Sequence, residues 1–212
     1  MRTTRFPRIT LAVVGAVALP LALSACSSND SKKDDSKASS DKPAATATKS
    51  NAMDTSKPFG PGCATVPKNG AGSFNGMAKD PVATAASNNP ALSTLVTAVK
   101  KAGLVDTLNN AQNITVFAPT NDAFNKIPKA QLDKVLNDKA MLTKILTYHV
   151  VGKKLTPKML EKGSYPTLEK SNLTTSGSGV SYKVNDASNV VCGNVPTANA
   201  TVYIVDSVLM PK

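Results

Sequence analysis

The sequence predicts a mixed α and β domain in its last 156 residues, Lys57 to Lys212. Between residues 90 and 149, apolar residues recur at the three- and four-residue spacing of helices. From Tyr165 onward the chain changes to short alternating segments separated by Gly, Ser, Asn and Pro, which is the pattern of antiparallel strands. A chain of this length can bury its own core, so a single domain is expected.

Helices are predicted first around Pro90, which suits a first helical turn, and Gly103 is expected to end that helix. A short helical segment, "LVDTLNN", follows, and a longer helical stretch, "PKAQLDKVLNDKAMLTKILTYH", is predicted before residue 150. The apolar residues of the first and last of these segments share helical faces: Leu92, Leu95, Val96, Val99, Leu132, Val135, Leu136, Leu142, Ile145 and Leu146.

A buried strand is predicted at "NITVFAP", because this segment is rich in β-branched and aromatic residues. Val116 and Phe117 are expected to point to opposite faces of the strand, and Pro119 is expected to end it. One of the polar residues at 120–122 is expected to cap the following helix. The later strands are predicted to form a meander that contains "NLTTS", "VSYKV", "NVVC" and "ATVYIVDSVLM".

Residues 1–25 have the pattern of a secretory signal peptide. Three arginines precede an apolar run from Ile9 to Leu23, which is shorter than the roughly 20 residues that a membrane-spanning helix needs. The run ends in "LSAC", which resembles the bacterial lipobox. The thiol of Cys26 can carry a thioether-linked diacylglycerol, and after cleavage Cys26 would be the first residue and would bear several acyl chains such as palmitate. Two or more chains hold a protein firmly at a membrane. We therefore expect a lipid-anchored protein on the outer face of a cell membrane.

Residues 26–56 follow as a tether rich in Ser, Lys, Asp and Ala. Beyond Cys26 this segment contains no aromatic residue and no Val, Ile or Leu. It cannot bury enough apolar surface to offset the entropy lost on ordering, so we expect it to be disordered and open to proteases. Cleavage there would release the domain at 57–212 in soluble form.

The charge and composition of the chain argue against a nucleic-acid partner. The precursor's formal charge of +11 falls to +8 when the signal peptide leaves with the three arginines of the chain. A mature chain without Arg or Trp lacks the guanidinium groups and most of the stacking surfaces that read nucleic acids. The lysines are spread along the domain, and they predict a solvated surface with a general attraction to anionic polymers and glycans.

Cys63 and Cys192 are the two cysteines that remain beyond Cys26. An exported chain with two thiols most simply pairs them, because its compartment is oxidising. A structural zinc site needs four ligands, and two thiols with a single histidine supply three. We therefore expect a disulfide, no metal site and no other cofactor.

Three segments resemble the signatures of the fasciclin domain family, in the family's order and spacing: "TVFAPTNDAF" at 115–124, "ILTYHVV" at 145–151 and "ATVYIVDSVLMP" at 200–211. More narrowly, "GPGC" and "DPVATAASNNP" resemble the mycobacterial fasciclin-domain antigens, which have secreted and lipid-anchored forms. The resemblance covers nearly all of residues 60–212. It implies an α+β fold, a β-sandwich-like wedge with helices packed along one side, and a bond between Cys63 and Cys192.

His149, the only histidine, lies in "TYHVV" and is the first residue to consider for catalysis. A catalytic histidine normally works with a nucleophile and an orienting carboxylate, but the chain has no G-x-S-x-G motif and its remaining thiols are expected to be paired. The family resemblance implies a structural hydrogen bond from His149 to the segment around 115–120, and it implies no enzymatic activity. We therefore expect a core histidine in a protein that is not an enzyme.

In animal members of the family, the Tyr-His region and its apolar flanks are associated with receptor binding. The resemblance thus makes five residues candidates for partner contact: Ile145, Leu146, Tyr148, His149 and Val150. Lys144 departs from the acidic-apolar pairs common near the animal motifs, which argues against integrin-type binding. The leading expectation is adhesion to a cell-surface, matrix or glycan ligand. The alternative is a carrier for a hydrophobic ligand, which would need an apolar cavity of roughly several hundred Å³ between helices and sheet, whereas a filled interior favours adhesion.

Overall fold

The structure, a computed structural model, describes residues 57–211. The predicted signal peptide, Cys26 with its predicted lipid, and the predicted tether up to residue 56 lie outside the described residues. None of the described helices is long and apolar enough to cross a membrane.

Short helices make up much of the first half of the described chain. The α-helices are α1 (Phe74–Met77), α2 (Val82–Ser87), α3 (Ser93–Ala102), α4 (Val105–Asn110), α5 (Asn121–Asn125), α6 (Lys129–Asn137), α7 (Lys139–Tyr148) and α8 (Pro157–Leu160), and two 3-10 helices span Pro61–Thr65 and Pro90–Leu92. The helix predicted after Pro90 thus begins with a 3-10 turn and continues as α3. It ends where Gly103 adopts a left-handed backbone with φ 74°, as the sequence predicted.

The long helical stretch predicted before residue 150 is divided into α6 and α7. Asp138 lies between the two helices with an extended backbone, φ −99° and ψ 99°. Its carboxylate accepts hydrogen bonds from the N–H groups of Ala140 and Met141 at 2.9 and 3.0 Å, so Asp138 caps α7. Thr120 caps α5 in the same way, through a bond from the Ala123 N–H at 3.2 Å.

The described strands form one seven-stranded sheet. They are β1 (Ile114–Pro119), β2 (Val150–Val151), β3 (Lys162–Pro166), β4 (Asn172–Ser178), β5 (Ser181–Val184), β6 (Ser188–Pro196) and β7 (Ala200–Val205). Their order is β2-β1-β7-β6-β5-β4-β3. Consecutive strands from β3 to β7 pair antiparallel, which confirms the meander. The closing strand β7 then lies parallel to β1, with Val116 opposite Val202, and it ends at Val205, five residues before the predicted end at Met210.

Both faces of β1 are buried, so this strand separates two hydrophobic cores. Val116 contributes to one core and Phe117 to the other, which is the opposite placement that the sequence predicted. The aliphatic core, between the sheet and α1–α7, includes Met77, Val82, Leu92, Leu95, Val99, Leu108, Ile114, Val116, Phe124, Leu142, Leu146, Val150, Val195, Val202 and Ile204. The tyrosine core comprises Phe117, Tyr148, Val151, Leu155, Leu160, Leu173, Tyr182, Val184, Val190, Tyr203, Val205 and Leu209. The α+β class is confirmed.

A disulfide joins Cys63 and Cys192 across 129 residues of sequence. It fastens the first 3-10 helix to β6, next to an isolated bridge in which Phe59 and Gly193 exchange two backbone hydrogen bonds at 3.1 and 2.8 Å. The Phe59 ring packs on Tyr182 with a centroid distance of 5.4 Å. The beginning of the described chain therefore covers part of the tyrosine core.

Candidate functional site

The five residues predicted to contact a partner lie at the junction of α7 and β2, and all of them are buried. They are Ile145, Leu146, Tyr148, His149 and Val150, with exposed fractions of 6% or less. Leu146 and Val150 belong to the aliphatic core, and Tyr148 belongs to the tyrosine core. The structure therefore brings the five residues together as interior residues of the domain.

His149 follows the last residue of α7, and both of its ring nitrogens meet backbone groups. Nε2 accepts a hydrogen bond from the Leu209 N–H at 3.0 Å. Because a neutral ring donates through its other nitrogen, Nδ1 donates to the Ile145 carbonyl at 2.8 Å. Burial lowers the pKa of His149 to about 4, although the bond to Ile145 acts in the opposite direction. The ring is therefore neutral near neutral pH, with both nitrogens hydrogen-bonded.

His149 was expected to form a hydrogen bond to the segment 115–120, but its ring does not make this bond. The ring bonds Leu209, in the segment after β7 and 60 residues away in sequence. The segment 115–120 reaches His149 through the backbone instead, because the Phe117 N–H donates to the His149 carbonyl at 2.9 Å. The side chain thus attaches the end of the chain to α7, while the main chain of the same residue attaches α7 to β1.

The bonding of His149 fits a structural role better than a catalytic one. A general base needs a ring nitrogen that can reach the substrate proton, and both nitrogens of His149 are taken by backbone groups. Within residues 57–211, no cluster of three or more His, Cys, Asp or Glu could hold a metal ion.

Tyr148 connects the tyrosine core to a polar surface pocket of about 240 Å³. The residues that line this Tyr148 pocket are Tyr148, Ser171, Asn172, Thr174, Asn185 and Asp186. The Tyr148 hydroxyl donates to the Asn172 carbonyl at 3.1 Å and accepts from Asn185 Nδ2 at 2.8 Å. The Tyr148 ring is therefore buried, while its hydroxyl helps to form the wall of the pocket.

Three separate stretches of chain assemble the Tyr148 pocket: the end of α7, the start of β4 and the turn between β5 and β6. In that turn Asn185 and Asp186 have φ values of 53° and 56°, a backbone that Asn and Asp adopt more readily than most residues. Asn185 Oδ1 accepts from the Thr174 N–H at 2.9 Å, which fixes the turn against β4. Sequence reasoning missed this pocket, and the Asn-Asp pair between two predicted strands was the available signal.

Lys144 and Glu169 form an ion pair near the Tyr148 pocket, with Nζ 3.6 Å from Oε1. Hydrogen bonds from Ser171, a pocket residue, lower the pKa of Glu169, and the Lys144 ammonium adds to this effect. The surface beside Ile145 therefore carries a Lys-Glu ion pair.

The layer between the helices and the sheet is almost completely filled. Its cavity measures about 50 Å³ and is lined mainly by apolar side chains of the aliphatic core. Pockets that hold small molecules are about 300–1,000 Å³. Asn89 also lines the cavity, and its buried Nδ2 has no hydrogen-bond partner among the described residues. The interior thus lacks the room that a carrier of hydrophobic ligands requires.

The fold and the three signature segments define a fasciclin-domain protein. The family profile described as "Fasciclin domain" matches residues 90–211, which is more than half of the chain. The chain belongs to this family.

Two mycobacterial proteins are similar to this chain over about two thirds or more of its length. Immunogenic protein MPB70 of Mycobacterium bovis is 50% identical over 160 residues, which cover 72% of this chain and 81% of that protein. Cell surface glycolipoprotein MPB83 of the same species is 51% identical over 147 residues, which cover 67% of this chain and 66% of that protein.

A solved structure shows the same fold at low sequence identity. It is a FAS1 domain pair from the insect cell adhesion molecule fasciclin I, with a TM-score of 0.52 and 22% identity. The match covers 64% of this chain and 52% of the other, so this chain spans about half of that domain pair.

Proposed function

We propose that this chain is a lipid-anchored extracytoplasmic protein whose fasciclin domain mediates adhesion at the cell surface. The observation that carries the proposal is the filled interior, because a cavity of about 50 Å³ leaves the outer surface as the place where a partner can bind. The 51% identity to a cell surface glycolipoprotein supports an extracytoplasmic location. The partner proposed is a cell-surface, matrix or glycan ligand, and no nucleic acid.

The proposed chain organisation is a signal peptide at 1–25, a tether at 26–56 and the fasciclin domain at 57–212. Cys26 carries the lipid anchor in this proposal, because it follows an apolar run and a small-residue cleavage site. Cys26→Ala is expected to abolish lipid attachment, which mass spectrometry of the exported chain measures directly. The same mass of bound lipid on the variant would rule out Cys26 as the anchor.

The buried residues of α7 and β2 act in this proposal by supporting the surface above them. Direct contact between a partner and Ile145, Leu146, Tyr148, His149 or Val150 stays a prediction, and the burial of all five argues against it in a rigid domain. Tyr148 reaches the surface through its hydroxyl, whereas His149 is occupied by backbone bonds. The proposal includes no catalytic step.

The test measures retention of the exported full chain on immobilised envelope polysaccharide, envelope protein and lipid vesicles. The chain carries Cys26→Ser, so that an acyl anchor does not contribute to retention. Saturable retention on polysaccharide or protein is expected, and His149→Ala is expected to reduce retention only in proportion to its unfolded fraction. No saturable retention on any surface would refute adhesion. A lipid that remains bound in stoichiometric amount by native mass spectrometry would favour the carrier instead.

A further inference from the structure

We propose that the Tyr148 pocket binds a neutral sugar unit of a surface glycan. The inference rests on the proposed adhesion function and names the chemistry of its partner. The pocket is concave, and its volume of about 240 Å³ is large enough for one sugar ring but below the usual range of drug-sized ligands.

The lining of the Tyr148 pocket offers donors and acceptors together. Asn172, Thr174 and Asp186 are exposed residues of the pocket, and they present an amide, a hydroxyl and a carboxylate. Each sugar hydroxyl can both donate and accept a hydrogen bond, so it can satisfy either kind of group. Asp186 Oδ1 accepts one long bond from the Ser176 hydroxyl at 3.3 Å, which leaves acceptor capacity on the carboxylate for ligand hydroxyls.

The charge of the pocket selects against anionic ligands and metal ions. Asp186 is the only charged residue among the six that line it, and no lysine joins them. A carboxylate without a neighbouring cation in the lining disfavours phosphate, sulfate and uronic acid groups. One carboxylate among neutral groups also lacks the several anionic ligands that a metal ion prefers. Neutral hydroxyl groups therefore fit this lining best.

The pocket is already ordered before a ligand arrives. The Tyr148 hydroxyl is bonded on both sides, to the Asn172 carbonyl and to Asn185 Nδ2. The Asn185 amide is further fixed by the Thr174 N–H. A site whose walls are fixed loses little entropy on binding, which matters for ligands that offer only hydroxyl groups.

The test is a titration of the exported full chain carrying Cys26→Ser, labelled with nitrogen-15, with methyl glycosides of mannose, galactose, glucose and N-acetylglucosamine. At least one glycoside is expected to shift the amide signals of Asn172, Thr174 and Asn185. Asp186→Asn keeps the size and the backbone tolerance of the residue, and it is expected to weaken binding about tenfold or more, because it replaces a charged acceptor. The matched control is Asp133→Asn, an exposed carboxylate on α6, which is expected to leave the affinity unchanged.

Three results would overturn the assignment: no glycoside shifts the pocket signals, Asp186→Asn binds as well as the parent chain, or ethanolamine binds the pocket and no glycoside does. The adhesion proposal is judged separately by retention on envelope polysaccharide. Any of these three results together with saturable retention on polysaccharide would remove the pocket assignment and leave adhesion standing. Glycoside binding without retention on any surface would leave the pocket assignment standing and remove adhesion.

Discussion

The aliphatic core and the tyrosine core differ in how they connect to the surface. The aliphatic core holds the helices against the sheet mainly through apolar contact. In the tyrosine core and at its edge, each of three tyrosine hydroxyls donates to a backbone carbonyl. Tyr148 donates to Asn172 at the start of β4 at 3.1 Å, Tyr165 to Met159 of α8 at 2.6 Å and Tyr203 to Leu155 of the loop after β2 at 2.9 Å. Burial stabilises both cores, and in the tyrosine core these hydroxyl bonds also fix the positions of the backbone segments that they reach. The polar pocket lies on that side.

The side chain of Asn199 also fixes the positions of backbone segments, in this case beside the aliphatic core. Asn199, which is buried, accepts from the Val82 N–H at 2.8 Å and donates to the Leu108 and Ala111 carbonyls at 2.8 and 2.7 Å. It therefore ties the turn before β7 to α2 and to the end of α4. This comparison shows that directional bonds locate segments, while apolar contact supplies most of the cohesion.

The largest expected effect concerns the disulfide, which attaches the 3-10 helix at Pro61–Thr65 to β6 at the edge of the aliphatic core. Closing a loop of 129 residues restricts the unfolded chain, and this is worth about 5 kcal/mol in the chain-entropy model. Cys63→Ala with Cys192→Ala is expected to lower the free energy of unfolding by an amount of this order, measured by urea denaturation. Two free thiols in the natively exported chain, counted by alkylation and mass spectrometry, would contradict the bond.

A pair of leucine truncations compares the packing of the two cores. Leu92 in the aliphatic core and Leu173 in the tyrosine core are both almost fully buried. Each change to Ala is expected to cost about 2–5 kcal/mol, and Leu173→Ala is expected to cost more. Leu173 lies on β4, which is paired on both sides, so its surroundings cannot collapse into the cavity as easily as the 3-10 turn around Leu92. Equal losses in the free energy of unfolding, measured by urea denaturation, would show that both cores relax around the truncated side chain to the same extent.

The ring of His149 is expected to make the stability of the domain depend on pH. His149 lies between Tyr148 of the tyrosine core and Val150 of the aliphatic core. The ring takes up a proton near pH 6.5 in the unfolded chain and near 4 in the folded protein. Between these values the unfolded chain binds more protons, so stability is fully present above pH 6.5 and falls as the pH is lowered. The expected loss is about 3 kcal/mol by about pH 4.

The measurement is the urea midpoint at about pH 7 and at about pH 4.5. His149→Gln serves as the control, because it removes the titrating ring and keeps a polar side chain. The variant is expected to be less stable near neutral pH but to lose less stability on acidification. An equal pH dependence in the parent chain and the variant would assign the acid sensitivity to other groups.

The smallest expected effects come from removing single hydroxyls. Tyr203→Phe leaves the Leu155 carbonyl without its partner in a buried place and is expected to cost about 1–3 kcal/mol. Tyr148→Phe is expected to cost about 1 kcal/mol or less, because water can reach Asn172 and Asn185 at the surface. Hydrogen exchange should rise in the segment around residue 155 for Tyr203→Phe and in the turn at 185–186 for Tyr148→Phe. A larger loss of stability for Tyr148→Phe than for Tyr203→Phe would contradict this order, because the hydroxyl at the pocket would then contribute more than the hydroxyl in the core.

Local signals in the sequence predicted much of the fold. Periodic apolar residues predicted α3 and α7, Gly103 predicted the end of α3, and the composition of 114–119 predicted β1 with two buried faces. These features depend on residues close together in sequence, for which spacing and backbone preference are sufficient. The break at Asp138 also has a local cause, since its side chain competes for backbone N–H groups.

The candidate site was harder to predict, because its parts come from distant segments. The sequence "TYH" made Tyr148 and His149 candidates for a site. The local sequence did not show that the Tyr148 hydroxyl would bond Asn172 and Asn185. The ring partner of His149, Leu209, lies 60 residues away and could not be predicted from local spacing for the same reason. Side-chain partners across 24 to 60 residues depend on how the strands are ordered.

The sequence by itself determined several of the helices and strands, including α3, α7 and β1, the mixed α and β character of the domain and the expectation that Cys63 and Cys192 pair. The tertiary structure alone decided that β7 lies parallel to β1, that the Tyr-His segment is interior and that a polar pocket forms beside it. The physical reason is the distance along the chain over which each interaction acts. Backbone preferences and apolar periodicity act within a few residues, whereas strand order, burial and pocket shape depend on the simultaneous packing of segments far apart in the chain.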